Sequence, residues 1–169
     1  FNRTAAVIAD TDLGETQLDY AAIRAINEKG QNLTITTNDS VSGTDIGIHA
    51  VHSGTGTATI NAQSTVSTSS SREGSSAILG INNSANQMTI NADGAISSNR
   101  TGFAARTSNG ALSVNMAADG AITQSETGIF IKGEETSTGA LTVDALGSIK
   151  SSMGDAIHVN QDGTGAVNV

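Results

Sequence analysis

The chain has no cysteine, no proline and no tryptophan, and its only phenyl and phenol rings are Phe1, Tyr20, Phe103 and Phe130. Each lack excludes something. Without cysteine there is no disulfide, no thiolate metal site and no thiol nucleophile. Without proline, no backbone N–H is lost from a hydrogen-bonded ladder. So few large rings exclude a thick globular core built around aromatic side chains. No apolar run approaches the ~20 residues of a membrane-spanning helix. Positive charge is also scarce: eight basic residues stand against sixteen acidic ones, for a formal charge of −8. That excludes nucleic acid and anionic membrane surfaces as expected partners and fits the solubility of a long exposed body. No charged n-region or apolar h-region precedes Phe1, so a leader peptide is expected outside this sequence.

What is present is a repeat. Apolar–small polar–β-branched triplets occur at Leu33-Thr34-Ile35, Ala58-Thr59-Ile60, Met88-Thr89-Ile90, Leu112-Ser113-Val114, Leu141-Thr142-Val143 and Val167-Asn168-Val169. Ala6-Val7-Ile8 fits the slot less cleanly, and the last residues of successive triplets lie 27, 25, 30, 24, 29 and 26 apart. Period-two alternation gives each triplet one buried and one wet face. Ile90 is therefore expected inside and Thr89 outside.

Two further pieces complete each repeat. About six residues on comes a single apolar residue among small polar ones: Val41, Val66, Ile96, Ile122 and Ile149, with Leu13 as first member. Then follows a small–apolar–x–small or aliphatic segment, as in Gly47-Ile48-His49-Ala50, Ala77-Ile78-Leu79-Gly80, Gly102-Phe103-Ala104-Ala105 and Ala156-Ile157-His158-Val159. Three short strands per repeat, separated by Gly, Asn, Asp and Ser turns, predict an all-β fold. It is a right-handed parallel β-helix, a three-sided solenoid of about six rungs. Residues 1–169 are expected to form one such segment, a fragment of a longer protein. An antiparallel sandwich competes, and Asp93-Gly94, Asn109-Gly110 and Asp119-Gly120 could be its hairpins. Their recurrence once per repeat, at what reads as a fixed place, favours the solenoid.

Val66 to Ile78 is twelve residues where Val41 to Ile48, Ile96 to Phe103 and Ile122 to Ile129 are each seven, so an inserted corner loop is expected near 67–76. It reads as too polar to pack and as removable at little cost. A smaller excess lies at Lys132–Ser137. Insertions in solenoids gather on one face and often carry function. Ser70, Ser71, Arg72, Glu73, Lys132, Glu134 and Glu135 are therefore the candidate binding residues.

No catalytic, cofactor or metal residues are assigned. Asp10, Asp12, Glu15 and Asp19 crowd the N-terminal repeat and Glu134-Glu135 form a second acidic pair, yet no column of basic residues is expected to face either, as a polysaccharide-cleaving site would need. The acidic run matches no calcium-loop spacing. His49 and His158 share an outward slot but lie four rungs apart, and His52 has no third ligand near it. The outward residues Thr34, Thr59, Thr89, Ser113, Thr142 and Asn168, with Thr36, Asn61, Asn91, Asn115 and Asp144 after the triplets, read as cross-rung hydrogen-bonding columns. Only the first row is Thr-Ile-Thr, so an ice-binding hydroxyl array fits poorly. Leu79 and Phe130 would be exposed apolar residues in the slot of His49.

Segments such as Gly139-Ala140-Leu141-Thr142-Val143, Gly147-Ser148-Ile149 and Gly154-Asp155-Ala156-Ile157-His158-Val159, with Gly94-Ala95-Ile96-Ser97-Ser98 and Thr127-Gly128-Ile129-Phe130-Ile131, resemble passenger domains of bacterial autotransporters (type V secretion). The resemblance covers nearly the whole chain and is one of repeat grammar and composition. It implies exposure on, or secretion from, a Gram-negative surface and covalent continuation to an outer-membrane β-barrel outside this sequence. It also implies adhesion to, or interaction with, host cells as a virulence factor, through a cell-surface or matrix protein or glycan. It transfers no catalytic residue, so binding without catalysis is the expectation. A polysaccharide-active β-helix enzyme, lyase or glycoside hydrolase, is the alternative.

Overall fold

The computed structural model describes residues 21–169, and all regular structure among them is β-strand. In chain order the strands are β1 (Ala21–Asn27), β2 (Leu33–Thr37), β3 (Val41–Gly43), β4 (Ile46–His52), β5 (Ala58–Ala62), β6 (Val66–Thr68), β7 (Ser76–Asn82), β8 (Met88–Ala92) and β9 (Ala95–Ser97). They continue as β10 (Thr101–Thr107), β11 (Leu112–Met116), β12 (Ala121–Gln124), β13 (Thr127–Gly133), β14 (Leu141–Ala145), β15 (Ser148–Ile149), β16 (Ile157–Gln161) and β17 (Val167–Asn168). Every third strand pairs in parallel. The long sheet runs β1-β4-β7-β10-β13-β16, the triplet sheet β2-β5-β8-β11-β14-β17 and the short sheet β3-β6-β9-β12-β15. This is a three-sided parallel β-helix of about six turns. The expected strands at Ala6-Val7-Ile8 and Leu13, and the acidic run Asp10, Asp12, Glu15 and Asp19, lie outside the described residues.

The three strand classes are those read from the repeat, and their register stacks like on like. Ile35, Ile60, Ile90, Val114 and Val143 form one inward column; Ile48, Ile78, Phe103 and Ile129 form another. Val41, Val66, Ile96 and Ile122 form the third, and all of these side chains are buried. Each turn buries a few side chains against the turns ~4.8 Å above and below, so one continuous core needs no large rings. Among the described residues Phe103 is the single phenyl ring in it. The residue before each of Ile48, Ile78, Phe103 and Ile129 is Ala or Gly because the chain passes close beneath it: a Cβ on Gly102 would stand 2.6 Å from the Gly128 carbonyl oxygen and 3.1 Å from Ile122 Cγ2.

The Asx-Gly pairs are corner turns between different sheets, so none closes a hairpin. They do not share one place, however. Asp93-Gly94 and Asp119-Gly120 link the triplet sheet to the short sheet, whereas Asn109-Gly110 links the long sheet to the triplet sheet.

The outward columns after the triplets hydrogen-bond from turn to turn. Asn61 Nδ2 donates to Thr36 Oγ1 at 3.4 Å, Asn91 Nδ2 to Asn61 Oδ1 at 2.8 Å and Asn115 Nδ2 to Asn91 Oδ1 at 2.8 Å. An inward polar column ends the long strands: Asn27, His52, Asn82, Thr107, Gly133 and Gln161 are in register. Its members satisfy the turn that follows. His52 Nε2 donates to the Gly56 carbonyl at 2.8 Å, Asn82 Nδ2 to Asn86 O at 2.8 Å and Thr107 Oγ1 to Gly110 O at 2.7 Å. Because the acceptor of the His52 bond is a carbonyl, its proton sits on Nε2.

Candidate binding corner and cleft

The inserted loop leaves the short sheet after β6 and returns at β7, on the corner that links the short sheet to the long sheet. It is not a wholly projecting loop. Thr68, Ser75 and Ser76, three of the ten residues of 67–76, are buried, and only residues 69–74 reach outward. Two local bonds shape the loop, Arg72 N donating to Ser70 Oγ at 3.1 Å and Ser75 N to Arg72 O at 3.1 Å, and Ser70 N ties it to Thr44 O of the preceding turn at 3.0 Å. Gly74 adopts φ 83°, a left-handed conformation that an L side chain resists.

Arg72 anchors the loop to the preceding turn. Its Nη1 lies 3.4 Å from Oδ2 of Asp45, whose side chain is 1% exposed. Asp45 Oδ1 and the Ser75 and Ser76 hydroxyls are buried without a partner. A carboxylate so buried needs a countercharge, and the insertion supplies it. Ser71 and Glu73 are exposed and make no side-chain hydrogen bond or ion pair among the described residues.

The same corner continues below the loop. Asn99 Nδ2 donates to the Ser69 carbonyl at 2.8 Å, and Arg100 pairs with Glu126 one turn on. Three successive passages of the chain here enclose a cleft of about 280 Å³: Ser98 and Asn99 come from the first passage, Thr123 and Ser125 from the second, and Lys150, Ser151 and Ser152 from the third. Thr123 owes its position to a bulge. Ile122 pairs with Ile96 and Gln124 with Ser97, leaving Thr123 unpaired between them, and such an extra residue re-aims its side chain. Sequence reading found the loop and missed the cleft. Its trace in the sequence is the polar run that follows the single apolar residue in three consecutive repeats: Ser97-Ser98-Asn99, Thr123-Gln124-Ser125 and Lys150-Ser151-Ser152.

Lys132, Glu134 and Glu135 stand elsewhere. Lys132 is an outward residue of β13, and Glu134 and Glu135 begin the turn from the long sheet to the triplet sheet. That is a different corner, in the fifth turn rather than between the second and third, so the two groups of candidate residues do not form one site. Glu134 does have a basic partner, against expectation. Lys132 Nζ lies 3.1 Å from Glu134 Oε2 and 3.3 Å from Asp162 Oδ2 of the next turn. Hydrogen bonds to Glu134 first and Asp162 second hold the lysine pKa above its ordinary 10.5. The unforeseen partner is a sequence neighbour: period two keeps Lys132 outward, and the turn that follows bends Glu134 back over it. Glu135 is exposed, with no ion pair among the described residues.

The histidines are dispersed, as the register requires. Arg24, His49, Leu79, Ala104, Phe130 and His158 form one outward column, placing His49 and His158 four turns apart. His52 faces the interior, on the opposite side of the sheet from His49. Leu79 and Phe130 are half-buried rather than fully exposed, and the Phe130 ring lies 5.2 Å from that of His158, centroid to centroid. No group of three or more His, Cys, Asp or Glu with metal-holding geometry occurs among the described residues. No protein-family model, no curated protein and no solved structure matches this chain.

Proposed function

We propose that this chain is a β-helical passenger of the autotransporter kind, displayed on or released from a Gram-negative cell, and that it binds host cell-surface or matrix partners without turning them over. The observation that carries this reading is the outer face of the long sheet. Beside the Arg24–His158 column runs a second one of Ile26, Val51, Ile81, Arg106, Lys132 and Asn160. Its first three members are aliphatic, and Ile26 is 48% exposed. With Leu79 alongside, they form an aliphatic patch on a flat and rigid face. Further along the same columns stand Arg106, Lys132 and the tilted Phe130–His158 ring pair. Apolar area next to arginine and an aromatic ring is the composition favoured at protein interfaces. The repeat grammar supports the passenger assignment, and continuation to an outer-membrane barrel belongs to the same proposal.

Saturable binding of the purified chain to host cells or matrix tests the reading. Ile81→Asp, at an outward position, should weaken binding at least about tenfold, equivalent to ~1.4 kcal/mol, without unfolding the solenoid. Binding indifferent to Ile81→Asp would remove this face from the proposal. Release of reducing or unsaturated sugar from a polysaccharide panel would replace the whole reading with that of a polysaccharide-active enzyme.

A further inference from the structure

The geometry of the corner cleft points to a binding site for a hydroxylated acid of the uronic-acid class, one sugar ring carrying one carboxylate. The argument is an accounting of donors and acceptors. Ser98 is almost wholly buried, and its Oγ accepts from Thr68 Oγ1 at 3.0 Å and from Arg100 N at 3.2 Å, so it forms the floor of the cleft. Asn99 spends one amide hydrogen on the Ser69 carbonyl and keeps the other. The Thr123 hydroxyl and the Lys150 ammonium make no hydrogen bond or ion pair among the described residues. Three exposed donors, one of them cationic, thus face a cleft that no carboxylate lines.

The remaining hydroxyls are arranged the other way. Ser125 donates to Lys150 O at 3.4 Å, Ser151 to Gly154 O at 2.9 Å and Ser152 to Ser125 O at 3.0 Å. Their protons are committed to backbone carbonyls; Ser125 is buried, and Ser151 and Ser152 offer the cleft lone pairs. A ligand matching both sets carries an anionic acceptor for Lys150 and hydroxyl donors for these two serines. A sugar acid has both; a neutral sugar lacks the first and an inorganic oxyanion the second. The volume, about 280 Å³, is roughly that of nine waters at ~30 Å³ each, enough for a single ring and below the usual range for larger ligands. No aromatic ring lines the cleft, and Lys150 is exposed, so the affinity of one isolated ring is on the order of millimolar. This assignment does not require the chain to be an adhesin, and failure to bind cells would leave it standing.

Backbone amide shifts of the full chain, titrated with glucuronate, glucose and sodium sulfate at matched ionic strength, test it. Glucuronate should perturb the amides of Ser98–Arg100, Thr123–Ser125 and Lys150–Ser152 saturably, glucose should leave them unmoved, and sulfate should bind more weakly than glucuronate. Lys150→Gln should weaken glucuronate at least tenfold while leaving the melting temperature unchanged, since the lysine side chain makes no bond among the described residues. Lys29→Gln, an exposed lysine remote from this corner, should change neither. Equal perturbation by glucose, or glucuronate binding indifferent to Lys150→Gln, would overturn the site. Sulfate binding as tight as glucuronate would overturn its assignment to a sugar acid.

Discussion

Arg72 and Asp45 are 27 residues apart in sequence and meet at 3.4 Å, an exposed guanidinium lying over a carboxylate that is almost wholly buried. The pair gives the inserted loop a structural task that its polar composition hides. Removing Arg72 leaves the buried Asp45 carboxyl with neither oxygen bonded, a far costlier state than losing an exposed ion pair. Arg72→Ala should therefore destabilise the chain by about 1–3 kcal/mol, less than a fully buried pair because the guanidinium is half in water. Deleting Ser69–Glu73 should cost a similar amount, not the near-neutral change expected of a free loop. Asp45→Asn in either background should recover most of the loss. Urea midpoints for the four variants and the parent decide the matter: a deletion that is neutral alone would show that the pair holds nothing together.

Strand phase gives the sharpest contrast between neighbouring residues. Ile90 is fully buried and Thr89, one residue before it, is half-exposed on the outer face of β8. Ile90→Asp puts an unpaired charge into a dry stack and should cost several kcal/mol, about 4 or more. Thr89→Asp should cost less than about 1 kcal/mol. Similar thermal midpoints for the two variants would overturn the assigned phase.

Residues such as these were legible because a parallel solenoid writes its register into the sequence. Ile35, Ile60, Ile90, Val114 and Val143 repeat in the chain because they stack in space. What stayed hidden depends on where a corner bends. Nothing in the spelling of Lys132-Gly133-Glu134 says that the turn folds Glu134 back onto the lysine, or that Asp162 approaches from the next turn. The cleft was invisible for a related reason. Its polar runs look like ordinary turn residues, and only three successive corner passages, one of them bulged at Thr123, make them face one another. The inward polar column was missed because its members differ in type. Asn82, Thr107 and His52 share a position and a task but not a residue class, and at Gly133 the side chain is absent altogether while the next turn's Gln161 amide reaches the Gly139 carbonyl at 3.2 Å.

That column makes a prediction of its own. Asn82 is fully buried, and its amide donates to Asn86 O at 2.8 Å and to Ala111 O at 3.3 Å while its oxygen accepts from Ser84 N at 3.2 Å. Asn82→Ala strips buried backbone groups of their partners and should cost about 2–3 kcal/mol, a fall in melting temperature of roughly 5–10 °C for a chain of this size. The next residue, Asn83, is exposed and bonds only to surface hydroxyls. Asn83→Ala should fall within about 0.5 kcal/mol of the parent. Equal costs at the two positions would show that the buried amide does not hold the corner.

The Lys132 bridge should reveal itself through pH. Its pKa in the folded chain is raised above the ordinary 10.5 by Glu134 and Asp162, so the folded state holds the proton more tightly than the unfolded chain. By linkage, the bridge's contribution is fully present below about 10.5, and it fades as the pH rises through the folded-state value. Melting curves of the parent and of Lys132→Met, recorded from about pH 7 to about pH 11.5, should differ by a constant gap through the neutral and mildly alkaline range. The gap should then close at the alkaline end, when the folded lysine loses its charge. Added salt should narrow the neutral-pH gap, because both carboxylates and the ammonium are partly exposed and screened. A gap that widens with rising pH would require the opposite sign of shift, and with it a lysine whose charge the fold opposes rather than supports.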